Sequence, residues 1–586
     1  MQPATLTVLD RNGEALASYN RAIALDPDFV EAHNNRGNTL RALRRPAEAL
    51  ASFERALAIR PDYVEAFCNR GNALIALGRI DEALASFDRA LALKPTYADA
   101  LINRAAGLRL LGREAEAAVS YRQALAVNPD HIETLIGLGN CMQSLQHYDE
   151  ALACSDRVLT LRPDMPEIFS NRGNALWCLR RPAEALASYE AALALKPDYA
   201  DAHNNRGLVL LELNRPDEAL PSFDRALALK PGYTDALINR GNAMRDLKRA
   251  GEAIECYDAA LAINPDLADG HWNKALEQLL TGQFEQGFAN YEWRWKRAGT
   301  VARDFAQPQW RGEDLTGKII LLHAEQGFGD IIQFVRYAPM VAARGATVIL
   351  EGPDALLQLL SGIEGVTALV SRGAPLPPFD LHCPLMSLPL AFGTTLATVP
   401  AALPYLRVPP ASSEKWQGRL PRSGLPRVGL VWSGTATHKN DHNRSFPLER
   451  LAPLLAKPGM QFVSLQRELR DADAPALAAF PALLRLETDL ADFADTAAVI
   501  AELDLVIAVD TAVAHLAGAL GKPVWILLAH VQDWRWLLDR EDSPWYPSAR
   551  LFRQPQIGDW DSVIGRLAGE LDRELASAAK NGHAAA

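Results

Sequence analysis

Proline recurs at residues 27, 61, 95, 129, 163, 197, 231 and 265, a spacing of 34 residues kept without slippage through the first half of the chain. A fixed period of this length calls for one structural unit copied end to end, because each copy can bury its apolar face only against the next. Ten residues after each proline stands a small residue: Gly37, Gly71, Ala105, Gly139, Gly173, Gly207, Gly241 or Ala275. Before the following proline come an alanine, an aromatic and another small residue, as in Ala49, Phe53 and Ala56, or Ala185, Tyr189 and Ala192. Small residues let two helices approach, and the aromatic fills the space they leave. A stack of helical hairpins is expected. Ala15, Tyr19 and Ala22 fall in phase with the later second helices, so the chain is expected to open inside a repeat whose first helix is cut short.

The period is that of tetratricopeptide repeats. Within it, Asn35, Asn69, Asn103, Asn171, Asn205, Asn239 and Asn273 share one column, with Gly137 as the exception, and Asn38, Asn72, Asn140, Asn174 and Asn242 form a second. Asparagine is a mediocre helix former, so a column of it needs a reason. Repeat duplication can copy a solvent-facing residue. Alternatively, stacked amides line an inner groove, where each donates and accepts one hydrogen bond as an extended peptide requires. The pattern NNRGN resembles the repeats of O-GlcNAc transferase, which implies that the first column holds an acceptor polypeptide. Where that family usually carries leucine, this chain has Arg36, Arg70, Arg104, Arg172, Arg206 and Arg240. Arginine there would favour an acidic guest or pack its stem over the helix pair.

From Leu267 the repeat degrades, and periodicity ends after QFEQGFANYEWRWK. Trp293, Trp295 and Trp310 are expected to fix the array to the following domain. Strand and helix patterns then alternate, as in a parallel sheet covered on both faces. KIILLHA is a strand, EQGFGD its loop and 331–344 an amphipathic helix; strands follow at 346–350 and 366–370 around a helix at 354–360. Gly327 and Gly329 permit close approach of backbone or ligand. LPYLRVPP reads as a crossover, and PRVGLVWSG as a strand entering a loop that holds His438, Lys439, His442, Asn443, Arg444 and Ser445. Cations and amides at a strand's carboxyl end suit a departing diphosphate; a solvated loop is the alternative. Asp471 and Asp473 read as a solvated helix start rather than a metal site. The apolar run Leu505 to Val509 is a buried strand, after which Asp510 or Thr511 can cap a helix passing through His515. Such a helix start gathers anions. The segment VQDWRWLLDREDSPWYP either shapes the base or sugar pocket or packs the terminal helix at 561–575.

DTAVAHLAGALGKPVW resembles the diphosphate-binding segment of the heptosyltransferase-like glycosyltransferases of family 9, which have the two-Rossmann-domain GT-B architecture. The resemblance implies that Gly327, Gly329, Lys439, Asn443, Arg444, Asp510, Thr511, Ala512 and His515 bind the donor. It also matches GFGD to a Gly-Asp pair whose aspartate is the general base, so Asp330 becomes the catalytic candidate. Its other role is to cap a helix starting at Ile331.

A net charge of −11 and pI near 5.6 argue against a nucleic-acid partner. Six scattered cysteines without a CxxC suggest neither zinc nor disulfides, and a reduced cytoplasm. No leader or spanning segment is read, so any membrane contact is peripheral. The expected architecture is multidomain: an all-α tetratricopeptide superhelix at 1–297, a linker at 298–316, and an α/β GT-B part with Rossmann-like subdomains at 317–410 and 411–586. The resemblance implies inverting, metal-independent transfer from a nucleotide sugar, with no cofactor, to a polypeptide such as flagellin. A lipopolysaccharide acceptor and a non-catalytic scaffold are the rival readings, and the array could also serve self-association.

Overall fold

The computed structural model describes residues 11–301, 303–421, 423–438 and 440–584. It divides into two compact units, one ending at Pro231 and the other starting at Gly232. The last two helical hairpins therefore belong with the α/β part.

In the first unit each repeat is a helical hairpin, for example Val30–Ala42 with Pro46–Ile59, and Val64–Ala76 with Ile80–Leu93. The glycine column exists because an aromatic ring of the second helix lies against it. A methyl on Gly37 would sit 2.5 Å from the Phe53 ring, and one on Gly71 would sit 2.4 Å from Phe87. The arginine column proves to be structural. Arg104 donates from Nη1 to Ser120 Oγ at 2.7 Å and from Nε to Asp88 Oδ1 at 2.7 Å; Arg172 does the same with Ser188 and Asp156. Each guanidinium thus ties its own helix pair together and reaches an acid of the preceding repeat. The guanidinium itself is engaged within the array, by hydrogen bonds rather than by the stem packing that the sequence suggested.

The second unit contains two parallel sheets. The first has strands β1 (Ile319–His323), β2 (Thr347–Gly352), β3 (Val366–Ser371) and β4 (Leu381–Pro384), in the order β3-β2-β1-β4. The second has β5 (Arg427–Val431), β6 (Gln461–Ser464), β7 (Leu484–Arg485), β8 (Leu505–Val509), β9 (Val524–Leu528) and β10 (Ala549–Arg553), in the order β10-β9-β8-β5-β6-β7. In each sheet the winding direction reverses once, between β1 and β4 and between β5 and β8. Ligands of open parallel sheets bind at the carboxyl ends of strands at such reversals.

Three local expectations need correction. The helix expected over 331–344 is broken into Phe328–Phe334, a 3-10 turn at Val335–Tyr337, and Ala338–Ala342. Pro339 lacks the N–H that a continuous helix would use there. Asp473 is buried rather than solvated, accepting Trp432 Nε1 at 3.0 Å and the Leu448 N–H at 3.0 Å. The junction is fixed less by Trp293 and Trp295 than by Phe284, Phe288 and Tyr291, whose rings lie 5.7–6.4 Å from Trp534. Arg294 adds a buried bidentate pair with Glu325, at 3.1 and 3.0 Å.

Candidate functional site

Both reversal points deliver their loops to one place. After β8, Thr511 is the N-cap of the helix Ala512–Ala519, yet its hydroxyl makes no capping bond and is buried without a partner. The first N–H groups of a helix also lack intrahelical acceptors. At the end of β5, the Ser433 hydroxyl and the Nε of Arg444 are likewise buried and unpartnered. Arg444 Nη1 donates to the Asp510 carbonyl at 2.9 Å, which brings the β5 loop onto the β8 turn. Buried polar atoms without a hydrogen-bond partner are costly in a finished fold, and these are atoms that a polar ligand could satisfy.

From the first sheet, the helix Phe328–Phe334 packs directly on Ala512–Ala519. A methyl on Gly329 would lie 2.9 Å from the His515 ring and 3.6 Å from Ala512 Cα, so the glycine is what allows the two helix starts to meet. Gly329→Ala should cost about 1–3 kcal/mol, as overpacking does, and should weaken donor binding. Denaturant unfolding together with nucleotide-sugar binding checks this; an unchanged midpoint and affinity would show that the helices have room to part. Gly327 has no such neighbour: its N–H donates to Asp330 Oδ2 at 2.9 Å. Asp330 therefore does not cap a helix beginning at Ile331. It stands at the third position of a helix beginning at Phe328, and its second oxygen remains available for other work.

That oxygen meets a residue the sequence reading did not single out. Arg535 Nη2 donates to Asp330 Oδ1 at 2.5 Å, while its Nη1 donates to Asp533 Oδ1 at 2.8 Å and its Nε to Gln333 Oε1 at 2.6 Å. The guanidinium lies over Trp534, 4.4 Å from the ring centre. Burial pushes the Asp330 carboxyl above the usual carboxylate range, and Arg535 opposes that rise. Burial and the neighbouring Asp533 push Asp510 up to about 6. His515 is held well below the imidazole range, by burial and by Arg535, Arg336 and Arg444, and its Nδ1 sits 2.9 Å from the Tyr546 hydroxyl. A neutral His515 is thus a packed hydrogen-bonding residue, not a cation. Asp330 and Asp510 keep 22% and 20% of their side chains exposed, so the junction is not sealed by protein atoms.

Of the other residues expected here, Asn443 turns its amide onto Asn440 Oδ1 at 2.7 Å. Lys439 lies outside the described residues. The asparagine column is half-buried on the first helices and partly committed to stacking. Asn69 Nδ2 donates to Asn34 Oδ1 at 3.0 Å, and Asn205 Nδ2 donates to Asn174 Oδ1 at 3.1 Å. Each such amide has one N–H engaged between repeats and keeps a second donor. Among the described residues no helix is long and apolar enough to cross a membrane, and no group of three or more His, Cys, Asp or Glu could hold a metal ion.

Tetratricopeptide-repeat family models match residues 9–43, 28–96, 68–132, 108–170, 170–234 and 204–268. The model of glycosyltransferase family 9 (heptosyltransferase) matches residues 467–555, which include the helix Ala512–Ala519 and Arg535 but not Asp330. The chain is similar to Protein FlbA of Caulobacter vibrioides, at 30% identity over 335 residues, 51% of this chain and 54% of that protein. It thus spans about half the length of the curated relative it matches. Among solved structures, MamA protein is 23% identical, covering 29% of this chain and 93% of that one, with a TM-score of 0.27. A tetratricopeptide repeat protein from Parabacteroides merdae is 17% identical, covering 42% and 98%, with a TM-score of 0.34.

Proposed function

We propose that this chain, a tetratricopeptide-repeat array joined to a family 9 glycosyltransferase domain, transfers a sugar from a nucleotide-sugar donor to a polypeptide held along its repeats. The two parallel sheets are read as the two lobes of a GT-B enzyme. The donor diphosphate would lie at the start of the helix Ala512–Ala519, against the Thr511 hydroxyl and Arg444, where the helix dipole and a fixed cation stabilise the charge that develops as the sugar bond breaks. Asp330, at the start of the facing helix, would take the proton of the acceptor hydroxyl as that oxygen attacks the anomeric carbon. In-line displacement inverts the sugar and expels the nucleoside diphosphate. No step of this scheme calls for a metal ion.

The observation that carries this reading is the facing of two helix starts across Gly329, with the Asp330 carboxylate on the first and the unpartnered Thr511 hydroxyl on the second. The direct test is release of nucleoside diphosphate from a panel of nucleotide sugars. The chain should select one donor; no release from any donor, with or without candidate acceptors such as flagellin, would leave a scaffold with a retained fold.

A second reading has a lipopolysaccharide sugar as acceptor, favoured by the heptosyltransferase description of the matching family. The asparagine column separates the two. Replacing Asn69, Asn103 and Asn205 with alanine should reduce transfer to protein roughly tenfold or more, the worth of a few hydrogen bonds, and leave transfer to a small glycan intact. Equal effects on both acceptors would discard the groove.

A further inference from the structure

The repeat that starts at Pro129 breaks the array's pattern at its asparagine, arginine and aromatic positions, and it shares with the repeat at Pro231 a cysteine in the serine column. Its asparagine position is Gly137, its arginine position Leu138, its serine position Cys154 and its aromatic position Ser155. The cause lies one repeat earlier, where Ala105 replaces the glycine on which an aromatic would rest. Tyr121 cannot lie over Ala105, so its ring crosses to the next repeat, where a methyl on Gly137 would be 2.6 Å away. Gly139 is left with no ring above it. Its nearest side-chain neighbour is Cys154 Cβ at 3.2 Å, whereas rings stand 2.4–2.7 Å from the matching positions of Gly71, Gly173 and Gly241. The Ser155 hydroxyl turns back to the Ala151 carbonyl at 3.0 Å and fills nothing.

The result is a cavity of about 30 Å³ beside Gly139. Leu135, Val158 and Ile168 supply apolar lining, and Asn140, Asn171 and Asn174, from both asparagine columns, supply the polar part. Asn171 Nδ2 reaches Asn140 Oδ1 at only 3.4 Å, a bond easily exchanged for one to a guest. Space for about two waters by volume accepts the tip of a branched aliphatic side chain. Amides that both donate and accept match the backbone on either side of such a residue.

We propose that this cavity is a specificity pocket for one small aliphatic side chain, of valine or leucine size, on an extended polypeptide lying along the array. The inference rests on the reading of the array as a polypeptide site, but its test does not need the transferase. A displayed library of short random peptides is selected on the full chain, and fluorescein-labelled copies of the enriched peptides are titrated. Ser155→Phe restores the missing ring and should preserve or raise the unfolding temperature while weakening these peptides roughly tenfold to a hundredfold, the worth of one buried aliphatic side chain. Ser155→Leu is a smaller plug should Phe prove disruptive. Replacing the peptide's aliphatic residue with alanine should cost the same on wild type and almost nothing on the plugged chain. Peptides that bind both chains alike, no dependence on an aliphatic residue, or no enrichment at all would overturn the pocket. Asp330→Asn should leave peptide binding unchanged; binding without sugar transfer by any form would refute the enzyme and leave the pocket standing.

Discussion

Asp330→Asn should lower turnover by about 10²–10⁴-fold, the usual worth of a positioned general base, with donor affinity nearly unchanged. The substitution keeps the shape: an amide oxygen can still accept the Gly327 N–H that the carboxylate accepts at 2.9 Å, so the helix start is preserved. What goes is the capacity to take a proton and the charge that pairs with Arg535, so some loss of stability is expected beside the loss of rate. Nucleoside diphosphate release at saturating donor is the measurement, with donor binding and thermal unfolding as controls. A chain that folds, binds donor and turns over within a few-fold of wild type would reduce Asp330 to its structural bond. The pH dependence gives a second check. Burial raises the folded pKa of Asp330, so the base is ionised, and the rate full, only above that raised value; the rate should fall as pH drops through it, and the Asn variant's residual rate should lack that limb.

The array was legible because its constraints are local and repeated. Where a glycine stands ten residues after the proline and an aromatic sixteen residues beyond it, the two are sides of one contact, as Gly71 and Phe87 are. The arginine column was legible in position but not in role. Its role follows from spacing: a serine or cysteine sixteen residues later receives the guanidinium. The turn after β8 was readable as strand, cap and helix. What local pattern does not carry is which residues join the two sheets, since Gly329 and His515 touch across almost two hundred residues. The lesser site residues show the same limit, because a polar loop does not reveal that Arg444 turns inward to Asp510 while Asn443 bonds its neighbour Asn440.

Arg535 is the clearest case of a residue hidden by its context, and its removal should have the second large effect. Its only local signal is a cation between tryptophans in DWRW, and that composition fits packing as well as function. In the structure, Trp534 is held by Phe284, Phe288 and Tyr291 from the last helical hairpin, so the end of the array buttresses the turn that aims Arg535 at Asp330. Arg535→Met keeps much of the stem's packing on Trp534 but leaves Asp330 and Asp533 without their cation and Gln333 without its donor. Breaking a buried ion pair from one side costs about 3–5 kcal/mol, so unfolding should come at clearly lower denaturant. Since Arg535 is the charge that opposes the rise caused by burial, its loss should drive the Asp330 pKa higher still. The acid limb of the rate profile should then move to higher pH, and turnover at neutral pH should fall by about 10²-fold, partly regained in alkaline buffer. A merely structural arginine would lower the amount of folded enzyme at every pH alike. An acid limb that stays where it is in the folded variant would show that Arg535 supports the fold without setting the base.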